Sequence, residues 1–231
     1  MDMEAIFLLK RVLHCMKRCI KKITKSIIGA TVIFILTGCS ENNEKFKDVN
    51  DMISGLENYS AKMNITYISN KGEITYEGEQ GASVDGRYRI TTTKPEEVES
   101  CVIINDGKMI WQYNPRVSST FSVKANDKKE RYELIIFSFI KNYRNSENVK
   151  EETEDGKYTV LEANIEGGGK YISSEKLWIE NENFTPVKLI IYDDEGKERI
   201  REEFSGFDTK PAFEEGYFLP QNKEGEEKED A

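Results

Sequence analysis

Between residues 59 and 67 apolar and polar side chains alternate, with Tyr59, Ala61, Met63, Ile65 and Tyr67 in one phase. A period of two is that of a strand with one face toward a core. The alternation returns at 74–76, 88–90, 102–104, 109–113 and 121–123, and again at 158–165, 175–180, 187–192 and 199–207. Asn70-Lys71-Gly72, Asp85-Gly86, Asn105-Asp106-Gly107, Asp155-Gly156 and Glu195-Gly196 stand between these segments. Such residues tolerate the positive φ of tight hairpin turns. Strands joined this closely form an antiparallel meander, because a parallel crossover needs a dozen or more residues.

Two windows change period. Phe46, Val49, Met52, Ile53 and Leu56 recur at three- and four-residue steps, predicting an amphipathic helix that ends near Gly55 to Asn58. A second helix is predicted from Asp127, its expected N-cap, to Asn145. Tyr132, Leu134, Ile135, Ile136, Phe137, Phe139, Ile140 and Tyr143 make it apolar over more than half its circumference, so it must be covered on most sides. The expected architecture is mainly β: a curved antiparallel half-barrel of about eleven strands, with this helix packed in the concave face. Phe137 and Phe139 lie about 200° apart on a helix, so one is expected against the sheet and the other toward a loop, a second subunit or a partner.

The N-terminal segment follows another logic. Residues 27–36 are almost wholly apolar and follow Lys17, Arg18, Lys21, Lys22 and Lys25. Ten helical residues cover about 15 Å against a hydrocarbon core of about 30 Å, which is short for a permanent span and suits an export signal. Leu36-Thr37-Gly38-Cys39 resembles a bacterial lipobox. That resemblance implies cleavage before Cys39, a diacylglycerol and further acyl groups on its thiol, and tethering to a membrane, where two or more chains hold a protein stably. The expected organisation is a signal peptide at 1–38, with Met16 an alternative start. A lipidated spacer at 39–45, a domain at 46–220 and a disordered acidic tail at 221–231 follow.

Charge and composition then narrow the chemistry. Seven of the 33 basic and two of the 42 acidic side chains precede Cys39, leaving a formal charge of −14 on the remainder. Such a surface repels phosphate backbones and anionic headgroups, so nucleic-acid binding is not expected. The one histidine, His14, lies in the signal segment, which excludes histidine-based triads and histidine metal sites from the exported part. Cys101 is the only thiol there besides Cys39; in the alternating run ESCVIIND it reads as a small buried side chain with no histidine to activate it. No catalytic, cofactor or metal residues are assigned.

Residues 105–116, NDGKMIWQYNPR, carry a more specific signal. The segment is similar to the DG-x-x-x-W-x-Y-x-P hairpin of LolA/LolB-type lipoprotein carriers, and the order of elements over roughly 45–219 resembles that fold. The resemblance implies Trp111 and Tyr113 on the concave face and Pro115 at the strand end. An anchored chain rich in Asn, Lys, Ile and Glu further resembles the clostridial germination lipoproteins of the GerS type. That family implies a non-enzymatic protein that binds and licenses the cortex peptidoglycan amidase during muramic-δ-lactam formation. It places the protein outside the cytoplasm, lipid-anchored to the membrane of a Gram-positive spore former, with the forespore intermembrane space as one such location. The alternative is a carrier that takes lipid or lipoprotein acyl chains in the concavity. Trp111, Tyr113, Phe137, Phe139 and Trp178 either fill a closed core or line such a groove; the bulk of Phe137 and Phe139 favours filling.

Other motifs point to structure. Glu166-Gly167-Gly168-Gly169-Lys170-Tyr171 lacks the first Gly and the Ser/Thr of a phosphate loop; a bulge or a mobile loop is expected, and a loop could serve as a hinge for strand exchange in a homodimer. Asp193-Asp194-Glu195-Gly196 lacks the alternating ligands of a calcium loop and reads as a hairpin turn.

Overall fold

The computed structural model describes residues 46–93, 101–114, 119–125, 134–147 and 149–220, all within one compact unit, Asn43–Ala231. Expectations for Cys39, the signal segment, Pro115, Asp127 and the acidic tail fall outside the described residues.

Helix α1 (Val49–Gly55) opens the domain, and the Asp48 side chain caps it by accepting the Asp51 N–H at 2.8 Å. Six strands follow: β1 (Asn58–Ser69), β2 (Gly72–Ser83), β3 (Tyr88–Thr93), β4 (Cys101–Asn105), β5 (Met109–Asn114) and β6 (Ser119–Lys124). Then come α2 (Ile136–Asn145) and the second meander, β7 (Lys150–Glu154), β8 (Tyr158–Gly169), β9 (Ile172–Glu180), β10 (Thr185–Tyr192) and β11 (Glu198–Asp208). The glycines of the five expected turns, Gly72, Gly86, Gly107, Gly156 and Gly196, all have positive φ.

All eleven strands join one antiparallel sheet in the order β6-β5-β4-β3-β2-β1-β11-β10-β9-β8-β7. The first and last strands pair at its centre, and β6 and β7 form open edges. The chain between β6 and β7 must therefore pass from one edge to the other, and α2 lies on that path.

Directly opposed residues in a sheet share a face. From Tyr59, Ala61, Met63 and Ile65 on β1, the register carries one face to Ala82 and Gln80, then Tyr88 and Ile90, then Ile103 and Gln112. In the other direction it runs through Phe204 and Glu202 on β11, Leu189 and Ile191 on β10, Leu177 and Glu175 on β9, and Leu161 and Ala163 on β8. The apolar members of this face form one core with Met52 and Ile53 of α1 and with Leu134, Ile136, Phe139 and Ile140.

Three expectations change. The described helix α2 begins at Ile136, not near residue 127, and its N-cap is Ile135, with extended backbone (φ −118°, ψ 128°). Strand β7 has no counterpart in the alternating segments, because KEETE contains no apolar residue and every position is exposed. Trp111 and Tyr113, expected under the helix, lie on the opposite face. They pair with Ile104 and Val102, whose β3 partners are Arg89 and Thr91. Met109, Trp111 and Tyr113 occupy one phase of β5 and Ile110 the other, so both phases carry apolar residues and the hairpin motif alone does not choose between faces.

Candidate functional site

Polar side chains on the helix-bearing face fasten α2. The Tyr59 hydroxyl accepts the Ile136 N–H at 3.1 Å and donates to Gln80 Oε1, while Gln80 Nε2 donates to the Leu134 carbonyl at 3.0 Å. Burial pushes the Tyr59 phenol well above its ordinary pKa, with the Glu202 carboxylate adding to the effect and the Ile136 N–H opposing it. Near the other end of α2, Asn142 donates to the buried Glu175 carboxylate at 2.7 Å, and the Arg144 guanidinium donates to the Ile53 carbonyl at 2.7 Å. The helix is thus tied to β1, β2, β9 and α1 by groups that sequence reading did not single out. The signal for two of them was a polar residue in the inward phase of a strand, Gln80 on β2 and Glu175 on β9.

Phe137 and Phe139 are separated by their environments. Phe139 is 0% exposed and stacks beside Tyr143 with ring centroids 5.9 Å apart. Phe137 is half-buried; its ring meets Tyr59 at 5.5 Å and also borders a groove of about 420 Å³ between α2 and the β2–β3 turn.

The opposite face carries two aromatic groups. Phe213, Tyr217 and Phe218, from the segment after β11, pack on one another with centroids 4.5 to 5.0 Å apart. Arg89 lies over Tyr217 and donates to its carbonyl, and Arg87 lies over Phe218. Gly81 admits this clasp, since a Cβ there would come within 2.6 Å of the Tyr217 hydroxyl and 2.8 Å of Phe213. On the other half of the sheet Trp178 packs with Val160 and Ile190, donates to Glu154 at 2.6 Å and has Lys188 over its ring at 4.0 Å. Trp111 donates to Asp106 in its own hairpin at 3.1 Å.

The remaining candidates take structural parts. Asp193 accepts the N–H groups of Glu195 and Lys197 and the Arg199 guanidinium, which uses its oxygens inside the β10–β11 turn. Among the described residues no three His, Cys, Asp or Glu side chains are grouped to hold a metal ion. Burial pushes the Cys101 thiol up, away from thiolate. Gly167–Gly169 ends β8 at a register break between Asn164 and Gly169, the bulge geometry. Among the described residues no helix is long and apolar enough to cross a membrane.

Among the described residues the fold is an open eleven-stranded antiparallel sheet with two helices packed on one face. The chain belongs to the sporulation protein YdcC-like family, whose model matches residues 20–218. It is similar to the sporulation protein YdcC of Bacillus subtilis (strain 168), with 19% identity over 210 residues, 86% of this chain and 61% of that protein. The chain therefore spans about three fifths of that relative's length. Among solved structures, an uncharacterized conserved protein from Thermus thermophilus matches with a TM-score of 0.50 and 12% identity, over 76% of this chain and 93% of that one. The GerS lipoprotein, solved in complex with the CwlD amidase from Clostridioides difficile, matches with a TM-score of 0.45 and 26% identity, over 71% of this chain and 92% of that one.

Proposed function

We propose that this protein is a non-enzymatic, lipid-anchored envelope module of sporulation that holds a cell-wall amidase by its surface. The observation that carries the reading is the filled space between helix and sheet. Tyr59, Met52, Ile136, Phe139, Leu161 and Leu177 are completely buried there and pack as one core. A carrier of acyl chains needs that space open, whereas a docking module needs it rigid. Membership in a sporulation family supports the setting, and the polar groups beneath α2 serve to fasten it. The lipobox-like Leu36-Thr37-Gly38-Cys39 supports an extracytoplasmic location, with Cys39 carrying diacylglycerol and acyl groups and no other cofactor needed.

The test is direct. The full chain, purified in detergent, is titrated with the cell-wall amidase made by the same cells during sporulation, and separately with a fluorescent fatty acid. Saturable amidase binding without fatty-acid uptake is the expected result; the reverse pattern replaces this reading with the carrier. Metabolic labelling with a fatty-acid analogue checks the anchor, and label retained by Cys39→Ala removes it.

A further inference from the structure

The groove beside α2 differs from its surroundings in charge. The exported chain is strongly acidic, yet this groove has Lys141 and Arg144 on its helix side, Arg87 at its turn with the guanidinium over Phe218, and no Asp or Glu among the residues lining it. Its apolar part comes from Ile135, Phe137 and Ile140 on the helix side and from Val84, 62% exposed, on the β2–β3 turn. That turn is fixed: Val84 N–H donates to the Glu57 carbonyl at 2.8 Å, Ser83 N–H to the Arg87 carbonyl at 2.8 Å and Gly86 N–H to the Ser83 carbonyl at 3.0 Å. The helix side is held through Tyr59 and through Arg144. Both walls therefore stand in place before anything binds.

We infer that this groove is where the partner docks, and that the docking segment is acidic and apolar: a large apolar side chain flanked by Asp or Glu. The inference rests on the proposed amidase-binding role and gives it a location and a chemistry. The apolar floor takes the side chain and the cationic rim takes the carboxylates. Lys141 pairs with Glu166 at 3.3 Å, with the two side chains 65% and 68% exposed, and Arg87 pairs with Asp85 at 2.8 Å. Exposed pairs of this kind are weak, so a partner's carboxylates can exchange with them. Arg144 already gives one N–H to a neutral backbone carbonyl and keeps its charge for a partner. Charge of this sign also steers an acidic segment to the one region of an acidic surface that attracts it.

The experiment uses full chains in detergent, titrated with the same sporulation amidase. Val84 and Lys141 are exposed, so substitutions there leave the core intact. Val84→Glu and Lys141→Glu are each expected to weaken binding about tenfold or more, while Val84→Lys, which loses the same apolar contact but adds attractive charge, is expected to lose clearly less than Val84→Glu. Lys62→Glu, on the opposite face, is expected to change nothing. Added salt should weaken the unmodified complex more than the Val84→Glu complex. Unchanged affinity in Val84→Glu, or equal losses in Val84→Glu and Val84→Lys, overturns the acidic-segment docking while leaving amidase binding in place. No binding by the unmodified chain removes the amidase reading and this inference with it. If sedimentation shows that Val84→Glu alters self-association instead, the groove is a surface between copies of this chain and the inference falls.

Discussion

The hydroxyl of Tyr59, near the start of β1, accepts the backbone N–H of Ile136, the first residue of α2, at 3.1 Å. A helix leaves its first N–H groups without partners inside the helix, and the N-cap residue Ile135 has no side-chain acceptor to offer. The sheet supplies the cap instead. Tyr59→Phe keeps the ring, which stacks on Phe207 at 5.2 Å, and deletes only the hydroxyl. The expected cost is about 1–3 kcal/mol from buried groups left without their partner. Urea unfolding measures it, and an unchanged midpoint would show that the cap contributes nothing.

Asp193 gives a pH prediction of definite sign. Burial by itself raises its carboxyl, but the Lys197 N–H, the Arg199 guanidinium and the Glu195 N–H outweigh that and hold it below the ordinary carboxylate range. With the folded value below the unfolded value of about 3.9, the stabilisation is complete above about pH 4 and is lost as pH falls through the folded value. Asp193→Asn is therefore expected to be less stable than the unmodified chain at pH 7, with the difference shrinking as pH falls through that range. Denaturant midpoints across the acid range check it; a constant difference would place the loss in the hydrogen bonds rather than in the charge.

These two residues also show what could be read in advance. The strands that alternate cleanly, such as 59–67, and the turns that need positive φ, such as Gly72 and Gly196, are visible because their physics is local. The start of α2 is not local. Leu134 and Ile135 belong to the same apolar run as Ile136, and the hydroxyl that caps the Ile136 N–H lies 77 residues away in the sequence. The face that Trp111 takes is hidden for a related reason. It depends on register carried from β1 through four hairpin pairings, and the apolar residues in both phases of β5 mask the choice. The groove gathers Arg87, Lys141 and Arg144 from two elements more than fifty residues apart, so no single window contains it.

Gly81 tests the clasp on the opposite face. A side chain there collides with Tyr217 and Phe213, and those rings are packed on each other and on Phe218, so they move as a unit. Gly81→Val is expected to release the segment after β11 while β1 and β2 stay paired, since valine suits a strand. Hydrogen exchange is expected to quicken at Tyr217 and Leu219, whose amides bond to Glu214 and Gly216, and to stay slow at Met63. Loss of protection at Met63 as well would mean that the clasp is part of the core.

Phe137 and Phe139 separate stability from binding. Phe139 is completely buried between α2 and the sheet, and its truncation to Ala removes a full aromatic side chain from a close-packed site. The expected loss is about 3–5 kcal/mol, a large share of the roughly 5–15 kcal/mol by which a domain is stable. Phe137 has one side on Tyr59 and the other in the groove, so Phe137→Ala loses only part of a core contact. It should destabilise the fold clearly less than Phe139→Ala, yet weaken amidase binding more than its stability loss explains. Thermal melts and titrations of both variants, at a temperature where each is folded, give the comparison. Equal destabilisation with unchanged affinity in Phe137→Ala would make that ring purely a core residue and would confine partner contact to Val84 and the cationic rim.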